Sequence, residues 1–305
     1  MSQKLSEFFR VKEKYLKFVK SQEILGDTFK DKIGQLNNFY FPICEMIYKD
    51  YLKNKKTKII GLAGGQGSGK STISQILKII LKERYNLNVV TLSIDDFYKT
   101  LKDRVKMSKK ISKLFLTRGV PGTHDTKMLF NCLNKLKKNS FNQILVPKFD
   151  KSLDDRCKKN KWIKISKKPD VVVFEGWCIG ANAQGKNSLI KSINLLERRE
   201  DQKQIWRKKV NNELKSRYKK VFDLIDTIVF LKIPSFKYVY KWRLLQERKL
   251  KKTSKGRKIM NPKQLKKFIM FYERITRHML KTLDTKSKVV LNIDTNHRFK
   301  SIKFN

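Results

Sequence analysis

Lys58-Ile59-Ile60-Gly61-Leu62-Ala63-Gly64-Gly65-Gln66-Gly67-Ser68-Gly69-Lys70-Ser71 decides how the rest of the chain is read. Lys58 to Ala63 is a short apolar run ending in glycines, the mark of a buried strand. From Ser71 to Tyr85 the apolar residues Ile73, Ile76, Leu77, Ile80 and Leu81 recur at helical spacing. Between strand and helix, residues 64–71 fit the pattern G-x-x-x-x-G-K-[ST]. Glycines there let successive backbone N–H groups turn toward one centre at a helix N-terminus, which makes an anion cradle. In such a loop the lysine, Lys70, reaches the terminal phosphates of a nucleotide, and the hydroxyl of Ser71 ligates Mg²⁺. The expected nucleotide contacts are therefore Gly64, Gly65, Gln66, Gly67, Ser68, Gly69, Lys70 and Ser71, with Thr72 adjoining them.

Outward from the loop, strands and helices alternate. Val89 to Ile94, Val171 to Phe174, Thr227 to Ile233 and Val289 to Ile293 are further apolar strands, separated by helical stretches. Strands too apolar to face water imply a parallel sheet covered on both faces. The expectation is an α/β, doubly wound, mostly parallel five-stranded sheet. Residues 1–55 read as an N-terminal helical extension, with Leu5, Phe8, Phe9, Tyr15 and Phe18 near helical spacing, and 56–305 as the main domain. Ser188 to Asp223 reads as a helical insertion (about 185–223). The polar, basic stretch 249–263 reads as a mobile lid, within a lid region of about 243–263.

The 72 basic and 27 acidic residues leave a net charge of +45, a field that draws anionic ligands. The lysines are spread over almost every segment after residue 50, without a nucleic-acid-binding motif, so the excess reads as compositional. Nucleic acid is not the expected partner. No segment approaches the ~20 apolar residues of a membrane span, and no targeting segment is evident, so a soluble cytoplasmic protein is expected. Four cysteines without metal-ligand spacing read as reduced structural thiols.

Ligands of an open α/β sheet bind outside the carboxyl ends of its strands. Asp95 and Asp96 directly follow the second strand, and Glu175 ends the third. Transfer of phosphoryl to an alcohol needs a carboxylate near the attacking hydroxyl and groups that hold metal. Asp95 is the candidate base, Asp96 an alternative helix cap, and Ser71, Asp95 and Glu175 the candidate metal ligands. Two loops are rich in hydrogen-bonding side chains: Thr117 to Asp125, with Arg118, Thr123, His124 and Asp125, and Pro147 to Arg156, with Asp150, Lys151 and Arg156. Their cations could clamp a carboxylate or phosphate. Arg243, beside Trp242 and followed by Arg248, is placed to meet a transferring phosphoryl group.

The ordered set SIDDFY (93–98), RGVPGTHD (118–125), VPKFDKS to Arg156 (146–156), FEGWCIG (174–180) and VYKWRLLQE (239–247) resembles the D-glycerate 3-kinase family of plant type and its bacterial and fungal relatives. These belong with the phosphoribulokinase, uridine kinase and pantothenate kinase group of P-loop kinases. The stretch Val210 to Asp226 is similar to that family's approach to its fourth strand, and Phe41-Pro42 to its N-terminal helices. The resemblance spans about residues 39–298. It implies the P-loop NTPase fold and transfer of the ATP γ-phosphate to a hydroxyl of D-glycerate. It also implies the base at Asp95 and catalytic roles for Lys70, Glu175 and Arg243. Acid contacts would come from Arg118, Thr123, His124, Asp125, Asp150, Lys151 and Arg156, and Asn296 would lie by the adenine. The chain departs from the family at P-K-F-D-K-S, where Phe149 stands in place of tyrosine. Two alternatives stay open. One is a kinase of the same fold for a pantothenate-like acid or a nucleoside. The other is a nucleic-acid-binding P-loop ATPase or polynucleotide kinase, for which the 118–125 loop would face an open basic groove.

Overall fold

The computed structural model describes residues 3–23, 28–253 and 260–305. Two helices come first, α1 (Gln3–Gln22) and α2 (Phe41–Leu52), joined through a helical turn and a π-helical segment, Leu36–Tyr40. Then follow β1 (Lys58–Gly64), α3 (Lys70–Tyr85), β2 (Val89–Ser93), α4 (Leu101–Lys110), α5 (Thr126–Lys137) and β3 (Val171–Gly176). After α6 (Ile205–Glu213) come β4 (Thr227–Lys232), α7 (Lys237–Thr253), α8 (Pro262–Thr282), β5 (Val289–Ile293) and β6 (Phe299–Phe304).

The sheet order is β6-β5-β4-β1-β3-β2. β1 pairs in parallel with both β3 and β4, and every residue of β1 and β3 is buried. Side chains alternate between faces along a strand. Ile59 and Ala63 thus join one core with Phe174 and Phe230, while Ile60 and Leu62 join another with Val173 and Leu231. A strand flanked and covered this way can carry no polar residue in its middle, which is why these segments read as continuous apolar runs.

All five expected strands are present, within a residue or two of their expected ends. The sixth, β6, pairs antiparallel on the outer edge of β5. Its sequence, Phe299-Lys300-Ser301-Ile302-Lys303-Phe304, carries lysines that blunt an exposed edge, and they mask its strand character in a linear reading. Two short ladders, Ile144–Val146 with Ile163–Ile165 and Phe149–Asp150 with Asp155–Arg156, were also not anticipated.

Three other expectations are corrected. The stretch 188–223 is not one long helix but short pieces, Leu195–Glu200, α6, a π-helical segment Leu214–Tyr218 and Lys219–Phe222. A buried ion pair, Arg207 with Asp201, ties these pieces to one another, and another, Arg274 of α8 with Glu197, holds them against the main body. The expected lid loop is helical at both ends: α7 continues to Thr253, and α8 begins at Pro262 behind an Asn261–Gln264 capping box. The middle of that expected lid, 254–259, lies outside the described residues. On α1 the buried stripe is Val11, Tyr15 and Val19, whereas Phe9 is 47% exposed. Leu5 lies outside the described side chains.

The N-terminal helices share one core with the sheet. Ile43 and Cys44 of α2 are fully buried together with Leu77 of α3 and Val171 of β3. All four cysteines are free thiols. Among the described residues, no helix is long and apolar enough to cross a membrane.

Because α2 is part of that core, Ile43→Ala should lower unfolding stability by about 2–5 kcal/mol. In urea melts followed by far-UV circular dichroism the loss should appear in one cooperative transition. A separate early transition carrying the whole loss would show that the extension unfolds on its own.

Candidate functional site

The glycine loop leaves β1 at Gly64 and returns as α3 at Lys70. Gly67 and Gly69 have φ of 78° and 83°, a region that only glycine enters freely. A Cβ at Gly67 would lie 2.9 Å from Cβ of Trp242, so the loop backbone is packed hard against α7. Ser68 is not turned to the crevice: its hydroxyl donates to the Gly65 carbonyl at 2.8 Å and braces the loop. Lys70 Nζ also donates to that carbonyl, at 2.8 Å.

Register places the carboxylates. Glu175 of β3 lies level with Leu62 of β1 and Ser93 of β2. The Ser71 hydroxyl donates to Glu175 Oε1 at 3.0 Å. Burial pushes the Glu175 carboxyl above the ordinary range, opposed by the Lys70 ammonium. Burial likewise pulls Lys70 below the ordinary lysine range, opposed by Glu175 and Asp95.

After Ser93 the chain makes a short 3-10 turn, Ile94–Phe97, which presents Asp95. Asp95 Oδ1 accepts from the Tyr98 hydroxyl at 3.0 Å and Oδ2 from Lys151 at 2.7 Å. Burial would push this carboxyl up, but the Lys151 charge and these hydrogen bonds hold it down at about 2. Asp96 is not a helix cap. Its Oδ1 accepts from the Phe149 backbone N–H at 3.3 Å and so ties the 149–156 ladder to the turn that carries Asp95.

These groups surround a cavity of about 250 Å³, lined by Lys70, Ser71, Asp95 and Glu175, by Gly67, Gly69 and Thr72, and by the cations Arg118, Lys151 and Arg243. Four cations and two carboxylates face the cavity, while the partners of Arg118 and Arg243, Asp154 and Glu247, stand outside its lining, so the wall itself is positive and suits an anion. The residues present fit a nucleotide with its metal. Fixed glycines open a cradle at the start of α3, and Ser71 and Glu175 set two hard oxygen donors side by side, a set suited to Mg²⁺. Among the described residues, no group of three or more His, Cys, Asp and Glu forms a metal cage. A Mg²⁺ held partly by phosphates needs none.

Not every expected contact faces the cavity. From the 118–125 loop only Arg118 reaches it. It pairs with Asp154 and lies over the Phe149 ring, 5.5 Å from its centroid. Thr123 is buried, accepting from Gly119 N–H and donating to the Val120 carbonyl at 2.7 Å. Asp125 caps α5 through Met128 N–H at 3.0 Å. His124 is buried below Tyr98, with ring centroids 4.4 Å apart. The Tyr218 hydroxyl accepts from Gly122 N–H and lies 2.5 Å from His124 Nδ1. Burial lowers this imidazole to about 3, so it is neutral at physiological pH.

In the other loop, Asp150 accepts from Ser152 and Leu153 and shapes its own turn. Arg156 donates to the Tyr98 carbonyl at 2.7 Å. Asn296 is exposed on the turn after β5. Its neighbour His297 makes the contact to the loop, with Nε2 donating to the Gly67 carbonyl at 2.8 Å and the ring 4.0 Å from that of Trp242. Gln66 lines the cavity as expected. Gly64 and Gly65 shape the loop behind it, packed against Leu231 and Ile233.

Sequence reading missed Tyr98, Trp177, Gln246, Phe268 and Tyr272, all on the cavity wall. Tyr98 sat inside a quoted motif and could have been found there. Tyr272 on α8 had no local signal: its hydroxyl donates to the Arg118 carbonyl at 3.1 Å, across 154 residues of sequence.

Comparison with known proteins identifies the family. The family model described as phosphoribulokinase / uridine kinase matches residues 59–243. The uncharacterized kinase mug58 of Schizosaccharomyces pombe is 35% identical over 70% of this chain and 78% of its own length. A chloroplastic D-glycerate 3-kinase of Arabidopsis thaliana is 28% identical over 82% of this chain and 56% of its own length. The solved structure of a D-glycerate 3-kinase from Cryptococcus neoformans superposes with a TM-score of 0.73 at 24% identity, covering 87% of this chain and 99% of that one. At that identity the superposition speaks for the fold.

Burial lifts Asp96 to about 6, opposed by the Phe149 N–H and assisted by the charge of Asp95. The folded-state value is above the unfolded one, so the stability due to the bound proton is complete below about pH 4 and is lost as pH rises through about 6. Asp96→Asn keeps an oxygen for the Phe149 N–H but removes the buried charge. Its melting temperature should exceed wild type by more at pH 7.5 than at pH 4.5. Equal offsets at the two pH values would refute the buried-carboxylate account.

Proposed function

The chain belongs to the phosphoribulokinase/uridine kinase family and is a P-loop kinase, and from that premise we propose that it transfers the γ-phosphate of ATP to the 3-hydroxyl of D-glycerate. The observation that carries this reading is the cation pair Arg118 and Lys151. Both reach the cavity from loops other than the phosphate loop, and Lys151 touches the candidate base itself. A small hydroxy acid offers the carboxylate these cations suit and the hydroxyl that Asp95 needs. The similarity to D-glycerate 3-kinases over most of the chain points the same way. The 118–125 loop supports a small acid over nucleic acid. Gly119 is packed so closely on Tyr272 that a Cβ there would lie 2.1 Å from its hydroxyl, and Gly122 is bonded to Tyr218, so the loop is folded in on the protein and offers the cavity a single side chain, Arg118, in place of a row of cations along a groove.

Bound at the loop, Mg·ATP supplies the phosphoryl group and neutralises part of its charge. Lys70 would exchange the Gly65 carbonyl for phosphate oxygens, and Ser71 and Glu175 would hold the metal. Arg243, now paired with Glu247 at 2.5 Å and Gln246 at 2.7 Å, stands ready for the charge that grows in transfer. Asp95, ionised throughout the neutral range, orients the acceptor hydroxyl and takes its proton as the new P–O bond forms.

Two measurements test the reading. In a coupled ADP-release assay, D-glycerate should be turned over far faster than L-glycerate, pantothenate or uridine; no release above background with D-glycerate, while another acceptor works, would defeat the substrate assignment. Asp95→Asn should lower kcat by about 100-fold or more with nucleotide affinity retained, the scale of a positioned base. Near-normal turnover would remove Asp95 from that role.

A further inference from the structure

The ion pair between Lys151 and Asp95 joins the group that must receive a proton to a cation that could receive an acid. Lys151 Nζ lies 2.7 Å from Asp95 Oδ2, while the Tyr98 hydroxyl holds Oδ1. An ammonium in that position occupies the space of an acceptor hydroxyl and cancels the charge that would polarise it. The lysine side chain is 62% exposed, against 27% for Asp95, so one partner can swing away and the other cannot.

The surroundings hold the backbone of Lys151 and leave its side chain free to move. Phe149 N–H is tied to Asp96, and Asp150 closes the turn by accepting from Ser152 and Leu153. Arg118 does not share that freedom. It is paired with Asp154, which also receives the fully buried Arg104 at 3.1 Å. Arg243 is held by Glu247 and Gln246.

We infer that Lys151 is a carboxylate-operated gate on Asp95, which makes a negatively charged acceptor a condition of turnover. This rests on the small-acid reading above and adds to it the reason that neutral alcohols and water are refused. The acceptor's carboxylate draws the ammonium off Asp95 and takes it as its own partner. Asp95 is then open to the acceptor hydroxyl. The hydroxyl oxygen bonds to the γ-phosphorus, the bond from that phosphorus to the β–γ bridging oxygen breaks, the hydroxyl proton passes to Asp95, and ADP leaves. Water carries no carboxylate, so the gate stays shut and ATP is not hydrolysed without acceptor.

The test uses the full chain as wild type, Lys151→Met and Lys151→Arg, with ADP release measured for D-glycerate, for its neutral amide glyceramide, and without acceptor. In Lys151→Met, kcat/KM for D-glycerate should fall about 10- to 100-fold, the scale of one charge-assisted hydrogen bond. The acid-to-amide preference should collapse toward unity, and acceptor-free ADP release should rise several-fold. Lys151→Arg should restore the preference. A methionine variant that keeps the wild-type acid-to-amide ratio overturns the gate, as does one whose acceptor-free release stays at or below wild type. If the wild type ignores D-glycerate but phosphorylates another hydroxy acid, the glycerate reading fails; the gate then stands or falls on the same comparison with that acid and its amide. A wild type that prefers a neutral acceptor overturns both.

Discussion

β1 and β3 run side by side and in parallel, so their carboxyl ends emerge at the same edge of the sheet. That pairing brings Glu175 within 3.0 Å of the Ser71 hydroxyl although the two are 104 residues apart. β2 adds Asp95 one strand further on, beyond Ser93, which is level with Glu175. The glycine loop, the metal-competent oxygens and the candidate base are therefore consequences of one register. A slip of one residue would turn every side chain in a strand to the opposite face.

Once carboxylates and cations are gathered at that edge, each must find a partner, because an unpaired buried charge costs several kcal/mol. The molecule meets this by internal pairing: Lys70 on a carbonyl, Arg118 on Asp154, Arg243 on Glu247, Lys151 on Asp95. Asp154, at a φ of 55°, holds Arg118 and the buried Arg104 together and so fixes a cation at the cavity wall. The net charge of +45 is a different matter. Most of it sits on exposed lysines, where water and salt screen it, and it contributes a background field more than a site.

Parts of the chain that never touch the cavity still shape it. Arg274 on α8 is bonded twice to Glu197 and to the carbonyls of Ser188 and Lys191. That clamp docks the broken helical insertion on the helix that carries Tyr272 and Phe268 into the cavity wall. Tyr218, from the same insertion, is hydrogen-bonded to the neutral His124 ring that stacks beneath Tyr98. Support for the candidate base thus comes from a segment that looks peripheral in sequence.

The linear sequence determined the strand–loop–helix unit at 58–85, the five parallel strands, and the strand-end positions of Asp95 and Glu175. Those features depend on local periodicity, on glycine's backbone freedom and on the rule that such sheets bind at their carboxyl ends. It also marked both polar loops, but only tertiary packing decided which of their side chains face the ligand. Thr123, Asp125 and Asp150 satisfy neighbouring backbone groups, because a nearby N–H captures a short polar side chain before a ligand can. Arg118 and Lys151 are long enough to reach past the local turns. Tyr272 entered the wall through a contact 154 residues away in sequence, and His297 reached the glycine loop from the turn after β5. The phosphate loop remains the part most legible in sequence, since its chemistry is carried by its own backbone. Its partners come from separate strands and loops, and only folding brings them together.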